Sequence, residues 1–281
     1  MVKILITGAN GQLGRELQKQ YKGKDVELIP TDVKDLDITD VKAVNKFVTE
    51  HKPDVIINCA AHTQVDKCEE QIDLAYKINA IGPKNLASAA YNIEAEIVQV
   101  STDYVFNGEG NTELTEFDTP DPQTVYGRTK LDGENFVKTL NPKHYIVRTA
   151  WLYGDGNNFV KTMIKLSENH SELKVVDDQV GTPTSTVDLA KVIIKLLDDK
   201  NYGLFHCTCK GVCTWYDFAK EIFRLKNIDV NVIPCTTEEF PRPAKRPKYS
   251  VLRNYMLELT TGDITKQWQE SLKDYIEDLH M

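Results

Sequence analysis

Three glycines spaced three apart, Gly8, Gly11 and Gly14, directly follow a compact β-branched run, Lys3–Thr7, and open a stretch with helical spacing, Gln12–Tyr21. A strand running into such a turn serves three demands at once. The chain must reverse tightly, its backbone must approach a pyrophosphate closely, and the helix must pack close against the strand. The helix then presents its free amides and the positive end of its dipole to the phosphates. A glycine-rich turn without that purpose is the plain alternative, and the position between strand and helix favours dinucleotide binding.

The same rhythm repeats through the first half. Val26–Thr31, Asp54–Asn58, Glu96–Ser101 and His144–Thr149 read as short apolar strands. Val41–His51, Ile72–Asn92 and Tyr126–Thr139 read as helices between them. Apolar runs joined through helices imply parallel strands buried on both faces with right-handed crossovers. The expected fold is therefore α/β, a doubly wound parallel (Rossmann) sheet over residues 1–150, with a smaller C-terminal α/β substrate-binding domain over 151–281. Segments near 178–205 are expected to return to the main sheet. In the second part Lys174–Asp177, Leu204–Cys207 and Asn231–Pro234 read as strands. Asn158–Asn169, Val187–Asp198, Trp215–Leu225 and Trp268–His280 read as helices. Pro241–Pro247, with three prolines, must be an extended loop.

The balance of 34 basic against 42 acidic residues leaves a net charge of -8, which argues against nucleic acid and anionic membranes as partners. No apolar run approaches the roughly 18 residues of a membrane span, and the first segment has no basic leader. A soluble, cytoplasmic protein is expected. The cysteines, Cys59, Cys68, Cys207, Cys209, Cys213 and Cys235, include no CxxC pair and are expected to be free thiols. A zinc reading of Cys207–Cys213 lacks a second ligand pair, and Cys207 and Cys209 read as part of a short strand, so no metal is expected.

Asp32 ends the second strand about 18 residues beyond Gly14, near the roughly 20 expected of a ribose-binding acid. Its carboxylate would accept from a ribose diol and disfavour a 2′-phosphate, whereas Lys34 would offset that, so NADH and NADPH both stay open. Asp37 and Ile38 suit the adenine edge. Asn58, Cys59, Ala60 and Ala61 end the third strand with small side chains against which a cofactor can lie. At the other end of the site, Tyr126 and Lys130 lie four apart on one helix face. An ammonium beside a phenol is expected to bring the phenol down toward a working range. Ser101, Thr102 and Asp103 close the fourth strand, where a hydroxyl can bond the carbonyl oxygen that the tyrosine protonates. Thr102, Tyr126 and Lys130 are the expected catalytic residues.

The segments GANGQLG, NCAAHTQVDKCE, STDYVF, YGRTKLDGE and RTAWLYG, in that order, resemble the extended short-chain dehydrogenase/reductase superfamily and, more narrowly, the dTDP-4-dehydrorhamnose reductase family. The similarity runs to at least Asp188, and Arg246, Pro247, Ser250 and Leu252 resemble a late motif. The resemblance implies reduction of the C4 ketone of dTDP-4-dehydro-β-L-rhamnose to dTDP-β-L-rhamnose. Tyr126 would be the proton donor, Lys130 would hold the nicotinamide ribose, and Thr102 would bind the reacting oxygen. Cofactor contacts would come from Gly11, Gln12, Leu13, Asp32, Asp37, Ile38, Ala61, His62 and Thr63, with Val100 near the nicotinamide. The sugar would meet Thr102, Asp103 and Trp151, although Trp151 also reads as an ordinary core aromatic. Some members dimerise through magnesium held by acids. Glu16 matches one such position, but Val187 stands where the second acid is expected, with Asp188 one step off, so a monomer is favoured. Three other activities compete with this reading. A 4,6-dehydratase needs Asp then Glu beside the threonine, but Tyr104 follows Asp103. An epimerase would use the same tyrosine and lysine. A silent NADP-binding regulatory subunit, like the β subunit of methionine adenosyltransferase, would not need Thr102, Tyr126 and Lys130 intact.

Overall fold

The computed structural model describes residues 1–279. The first part of the chain runs β1 (Val2–Thr7), α1 (Gln12–Tyr21), β2 (Val26–Thr31), α2 (Val41–His51), β3 (Val55–Asn58), α3 (Val65–Glu70), α4 (Ile72–Tyr76), α5 (Gly82–Asn92), β4 (Glu96–Thr102), α6 (Val125–Leu140) and β5 (His144–Thr149). Then follow β6 (Leu152–Tyr153), α7 (Phe159–Ser167), β7 (Glu172–Val176), β8 (Val180–Gly181), β9 (Thr184–Ser185), α8 (Thr186–Asp199) and β10 (Gly203–His206). The chain continues through β11 (Cys213–Thr214), α9 (Trp215–Lys226), β12 (Asn231–Cys235), α10 (Tyr255–Leu259) and α11 (Trp268–Asp278).

Six strands form one sheet in the order β10-β5-β4-β3-β1-β2, and every pairing in it is parallel. Alternation along each strand explains why both faces are covered. Ile4 and Ile6 pack with Leu13 and Leu17 of α1 and Ile193 of α8, whereas Leu5 packs with Val44 and Val48 of α2 and Leu86 of α5. Each such side chain, fully withdrawn from water, contributes roughly 1.5–3 kcal/mol before entropy is counted. The strand order reverses between β1 and β3, so their carboxyl ends diverge into a crevice, where folds of this kind bind ligands.

The second part builds its own core. Tyr153, Phe218, Trp268 and Leu272 pack together with partly buried Trp151, Phe159 and Trp215. β7 pairs with β12, β8 with β11, and β6 with β9. β10 belongs to the main sheet, beside β5, and α8 covers that sheet's α1 face.

Two segments differ from expectation. The helix expected over Ile72–Asn92 contains a π-helical stretch, Lys77–Ile81. Its wider turn carries Asn79, whose buried side chain accepts from the His62 amide at 2.8 Å and donates to the His62 carbonyl at 3.1 Å. Tertiary bonding has thus overridden the regular helical period. Nor do Cys207 and Cys209 share a strand: β10 ends at His206, because the Thr208 amide leaves the sheet to bond Asn254 Oδ1 at 2.9 Å. The last helix is described to Asp278, and His280, expected within it, lies outside the described residues. Among the described residues, no helix is long and apolar enough to cross a membrane.

Candidate active site

The glycine turn is built by close contacts. Gly8 has φ 64, and a Cβ on it would lie 2.7 Å from the Ala60 amide nitrogen. A Cβ on Gly14 would lie 2.5 Å from the Gly8 carbonyl oxygen, so α1 could not approach the turn as closely. Gly11 caps α1 without any side-chain hydrogen bond, which leaves the first helical amides facing the cleft with the dipole's positive end. Asp32, at the end of β2, accepts from the Asn10 amide at 3.2 Å and so ties the second strand to this turn.

A cleft of about 1370 Å³ runs from the turn across the carboxyl ends of β1, β3 and β4 into the second part of the chain. Its walls include Gly8, Gly11, Gln12, Leu13, Gly14, Asp32, Asp37, Ile38, Ala60, Ala61, Thr63 and Val100. Thr102, Asp103, Tyr126, Lys130 and Trp151 line the same cleft. His62 does not line it. Asn79 clamps its backbone, and its ring lies 3.3 Å from Gln71 Oε1. The volume, the uncapped helix end and the tight packing of the turn at Gly8 and Gly14 all suit a dinucleotide.

At the reaction end, Thr102 Oγ1 donates to Asp103 Oδ1 at 2.9 Å and accepts from the Tyr104 amide at 3.2 Å. Burial pushes the Asp103 carboxyl up to about 6 against those bonds. Burial also holds the Tyr126 phenol well above its ordinary value, and a hydrogen bond with Thr102 only partly offsets this. The expected lowering of the phenol by Lys130 is not seen: burial dominates, Asp103 and Cys68 push the same way, and only the bond with Thr102 opposes them. Lys130 is itself drawn down to about 8 by burial, with Glu134 and Cys59 acting in the opposite direction.

Lys130 Nζ donates to the Val100 carbonyl at 2.6 Å. That carbonyl also accepts from Gln99 Nε2 at 2.9 Å, Gln99 Oε1 accepts from Asn58 Nδ2 at 2.7 Å, and Asn58 Oδ1 accepts from Thr7 Oγ1 at 2.6 Å. A buried polar ladder therefore crosses three strand ends and fixes the lysine's anchor. Sequence reasoning passed over Gln99, yet a glutamine inside an apolar parallel strand is a legible signal that a buried partner awaits it.

The far wall was mostly unforeseen. The Trp151 indole stacks on Trp215 with centroids 3.7 Å apart, and Phe159 joins them at 4.6 Å from Trp215. Lys174, Arg242 and Arg246 bring positive charge to the cleft, where an anionic ligand would be drawn. Arg246 Nη2 bonds Asp66 Oδ2 at 2.7 Å, which seats the proline-rich loop over α3. All six cysteines are free thiols, and among the described residues no group of three or more His, Cys, Asp or Glu is placed to hold a metal ion.

Comparison with known proteins adds independent findings. The family described as the RmlD substrate binding domain matches residues 2–281. A dTDP-4-dehydrorhamnose reductase of Aggregatibacter actinomycetemcomitans is 41% identical over 290 residues, covering 98% of this chain and 98% of that protein. The crystal structure of a dTDP-4-dehydrorhamnose reductase from Clostridium acetobutylicum ATCC 824 is 78% identical, with a TM-score of 0.99 and 100% of each chain covered. The Bacillus anthracis dTDP-4-dehydrorhamnose reductase, solved in complex with NADP, is 46% identical with a TM-score of 0.97, covering 99% of this chain and 100% of that one.

Proposed function

The chain belongs to the RmlD substrate binding domain family, and from that premise we propose that it reduces the C4 ketone of dTDP-4-dehydro-β-L-rhamnose to dTDP-β-L-rhamnose, the last step in making that sugar nucleotide. It is an NAD(P)H-dependent oxidoreductase with a Rossmann fold. The observation that carries the reading is that Thr102, Tyr126 and Lys130 line one continuous cleft with the uncapped start of α1.

When bound, the nicotinamide supplies the hydride to the ketone carbon. The remaining tasks fall to the chain. Tyr126 keeps its proton through neutral pH because burial opposes the phenolate, so it can give that proton to the reacting oxygen. Thr102 orients the same oxygen, with Asp103 holding its hydroxyl. Lys130, anchored on the Val100 carbonyl, holds the nicotinamide ribose. The turn from Gly8 to Gly14, with Gln12 and Leu13, seats the pyrophosphate. Asp32, Asp37 and Ile38 meet the adenosine, and Ala60, Ala61, Thr63 and Val100 form the floor. The Trp151–Trp215 stack offers the sugar an apolar platform and shields the reaction from water.

Residues 1–150, together with β10 and α8, act as the cofactor-binding part and the remainder as the substrate-binding part. A monomer in the cytoplasm is the favoured state. Asp188 is buried and accepts from Ser271 Oγ at 2.6 Å and from Ser185, so its carboxylate is not presented for a metal shared between copies.

The test is a stoichiometry. Purified protein given NADPH and dTDP-4-dehydrorhamnose should consume one reduced cofactor per rhamnosyl nucleotide formed. An epimerase would interconvert sugars without net cofactor loss, and a regulatory subunit would bind the cofactor and turn nothing over.

A further inference from the structure

Tyr126, Lys130 and Glu134 stand at i, i+4 and i+8 of α6 and so share one helix face. The first two line the cleft; the third lies beneath it. Glu134 is only 4% exposed, and its two oxygens accept from Arg148 Nε at 2.9 Å and Nη2 at 2.7 Å. Arg148 projects from β5 and also lies over the Phe106 ring, 5.1 Å from its centroid. The fork of two parallel bonds leaves the carboxylate one orientation.

Lys130 is 3% exposed, and an ammonium so buried needs a compensating charge. Its hydrogen bond goes to a neutral carbonyl. Glu134 from its own helix and Cys59 from the end of β3 act on its charge, and Tyr126 lines the cleft with it. From the sheet, β4 offers the Val100 carbonyl, and β5 brings the Arg148 guanidinium that is paired with Glu134. Burial drives the Cys59 thiol up to about 12, so it carries no charge at neutral pH. Among the described residues that leaves the Glu134 carboxylate, a helical turn along.

We propose that Glu134 is a positioning residue for the reduction: held rigid by Arg148, its carboxylate supplies the counter-charge that keeps Lys130 an ammonium while the lysine grips the nicotinamide ribose. This rests on the role given to Lys130 above, but its electrostatic part concerns the chain alone. Removing the carboxylate takes away the larger of the two influences that oppose burial, so Lys130 gives up its proton at lower pH. The activity that depends on the ammonium then fails from the alkaline side inward.

The experiment follows Lys130 directly. Protein carrying [ε-¹³C]lysine is titrated by NMR, with the Lys130 signal assigned by its loss in Lys130→Arg. The signal should titrate near pH 8 in the native chain. In Glu134→Gln its midpoint should fall by about one unit or more, and the alkaline limb of kcat/KM should move down with it. The double variant Glu134→Gln/Arg148→Met leaves no unpaired guanidinium. It carries the same expectation and stands in if the single variant does not fold. A Lys130 midpoint unmoved in the folded variant would overturn the proposal, as would a shift in the midpoint with no movement of the alkaline limb. Absence of NADPH oxidation by the native chain, with the NMR shift intact, would instead count against the reductase reading.

Discussion

Replacing Tyr126 by Phe should lower kcat for ketone reduction by about 10²–10⁴-fold, or ~3–5 kcal/mol in the barrier, while leaving NADPH affinity nearly intact. The substitution removes one hydroxyl and keeps the ring, which packs edge-on against Tyr104 with centroids 5.5 Å apart, so the fold should not register the change. The neighbouring hydroxyl and ammonium are already engaged elsewhere. Thr102 already donates to Asp103, and Lys130 to the Val100 carbonyl. Single-turnover rates and NADPH titration on the variant check both halves. A Tyr126→Phe enzyme retaining more than about a tenth of native kcat would mean the proton comes from elsewhere.

The second large effect is expected at Gly127, and its sign is informative. In an exposed helix interior, Gly→Ala stabilises by about 1 kcal/mol. Here a Cβ would sit 2.9 Å from the Tyr104 carbonyl carbon, closer still to its oxygen, and 3.2 Å from Pro122 Cβ. Two of those atoms are backbone and cannot swing aside. The start of α6, capped by Thr124 through the Gly127 amide at 3.0 Å, would have to move away from the turn that follows β4. Gly127→Ala should therefore destabilise the chain by about 2 kcal/mol. It should also cost roughly 10–100-fold in kcat, because Tyr126 moves relative to Thr102. Thermal denaturation and steady-state rates test this. A raised Tm would show that the helix approaches the turn less closely than described.

Much of the fold was legible because its strands are buried on both faces. That leaves unbroken apolar runs such as Asp54–Asn58, whose ends hardly shift between sequence and structure. Helices with a strong apolar stripe, Gln12–Tyr21 and Val41–His51, were equally plain. What escaped is set by tertiary contact. The two-residue strands Leu152–Tyr153 and Thr184–Ser185 have no period to read. The five-residue helix Tyr255–Leu259 is too short to carry one. The π-helical stretch Lys77–Ile81 exists to clamp a distant loop, and nothing local in its sequence announces it.

The site divides in the same way. Motif spacing led to the glycine turn and to the Tyr126–Lys130 face, which depend on neighbours in sequence. It could not lead to Trp215 beneath Trp151, or to Arg242 and Arg246 lining the same cleft, because chain folding alone brings those together. The family resemblance also implied His62 as a cofactor contact; Asn79 holds its backbone, and its ring lies beside Gln71. A lowering of Tyr126 by Lys130 follows from proximity alone, whereas burial, invisible in the sequence, holds the phenol above its ordinary value.

The central claim is that hydride passes to C4 of the sugar while Tyr126 supplies the proton. Reduced cofactor carrying deuterium at the transferred position of its nicotinamide C4 should yield dTDP-rhamnose with one deuterium at sugar C4, and no label elsewhere on the ring. Rhamnosyl nucleotide formed without deuterium at C4, or sugar turnover with the labelled cofactor left unconsumed, would contradict it.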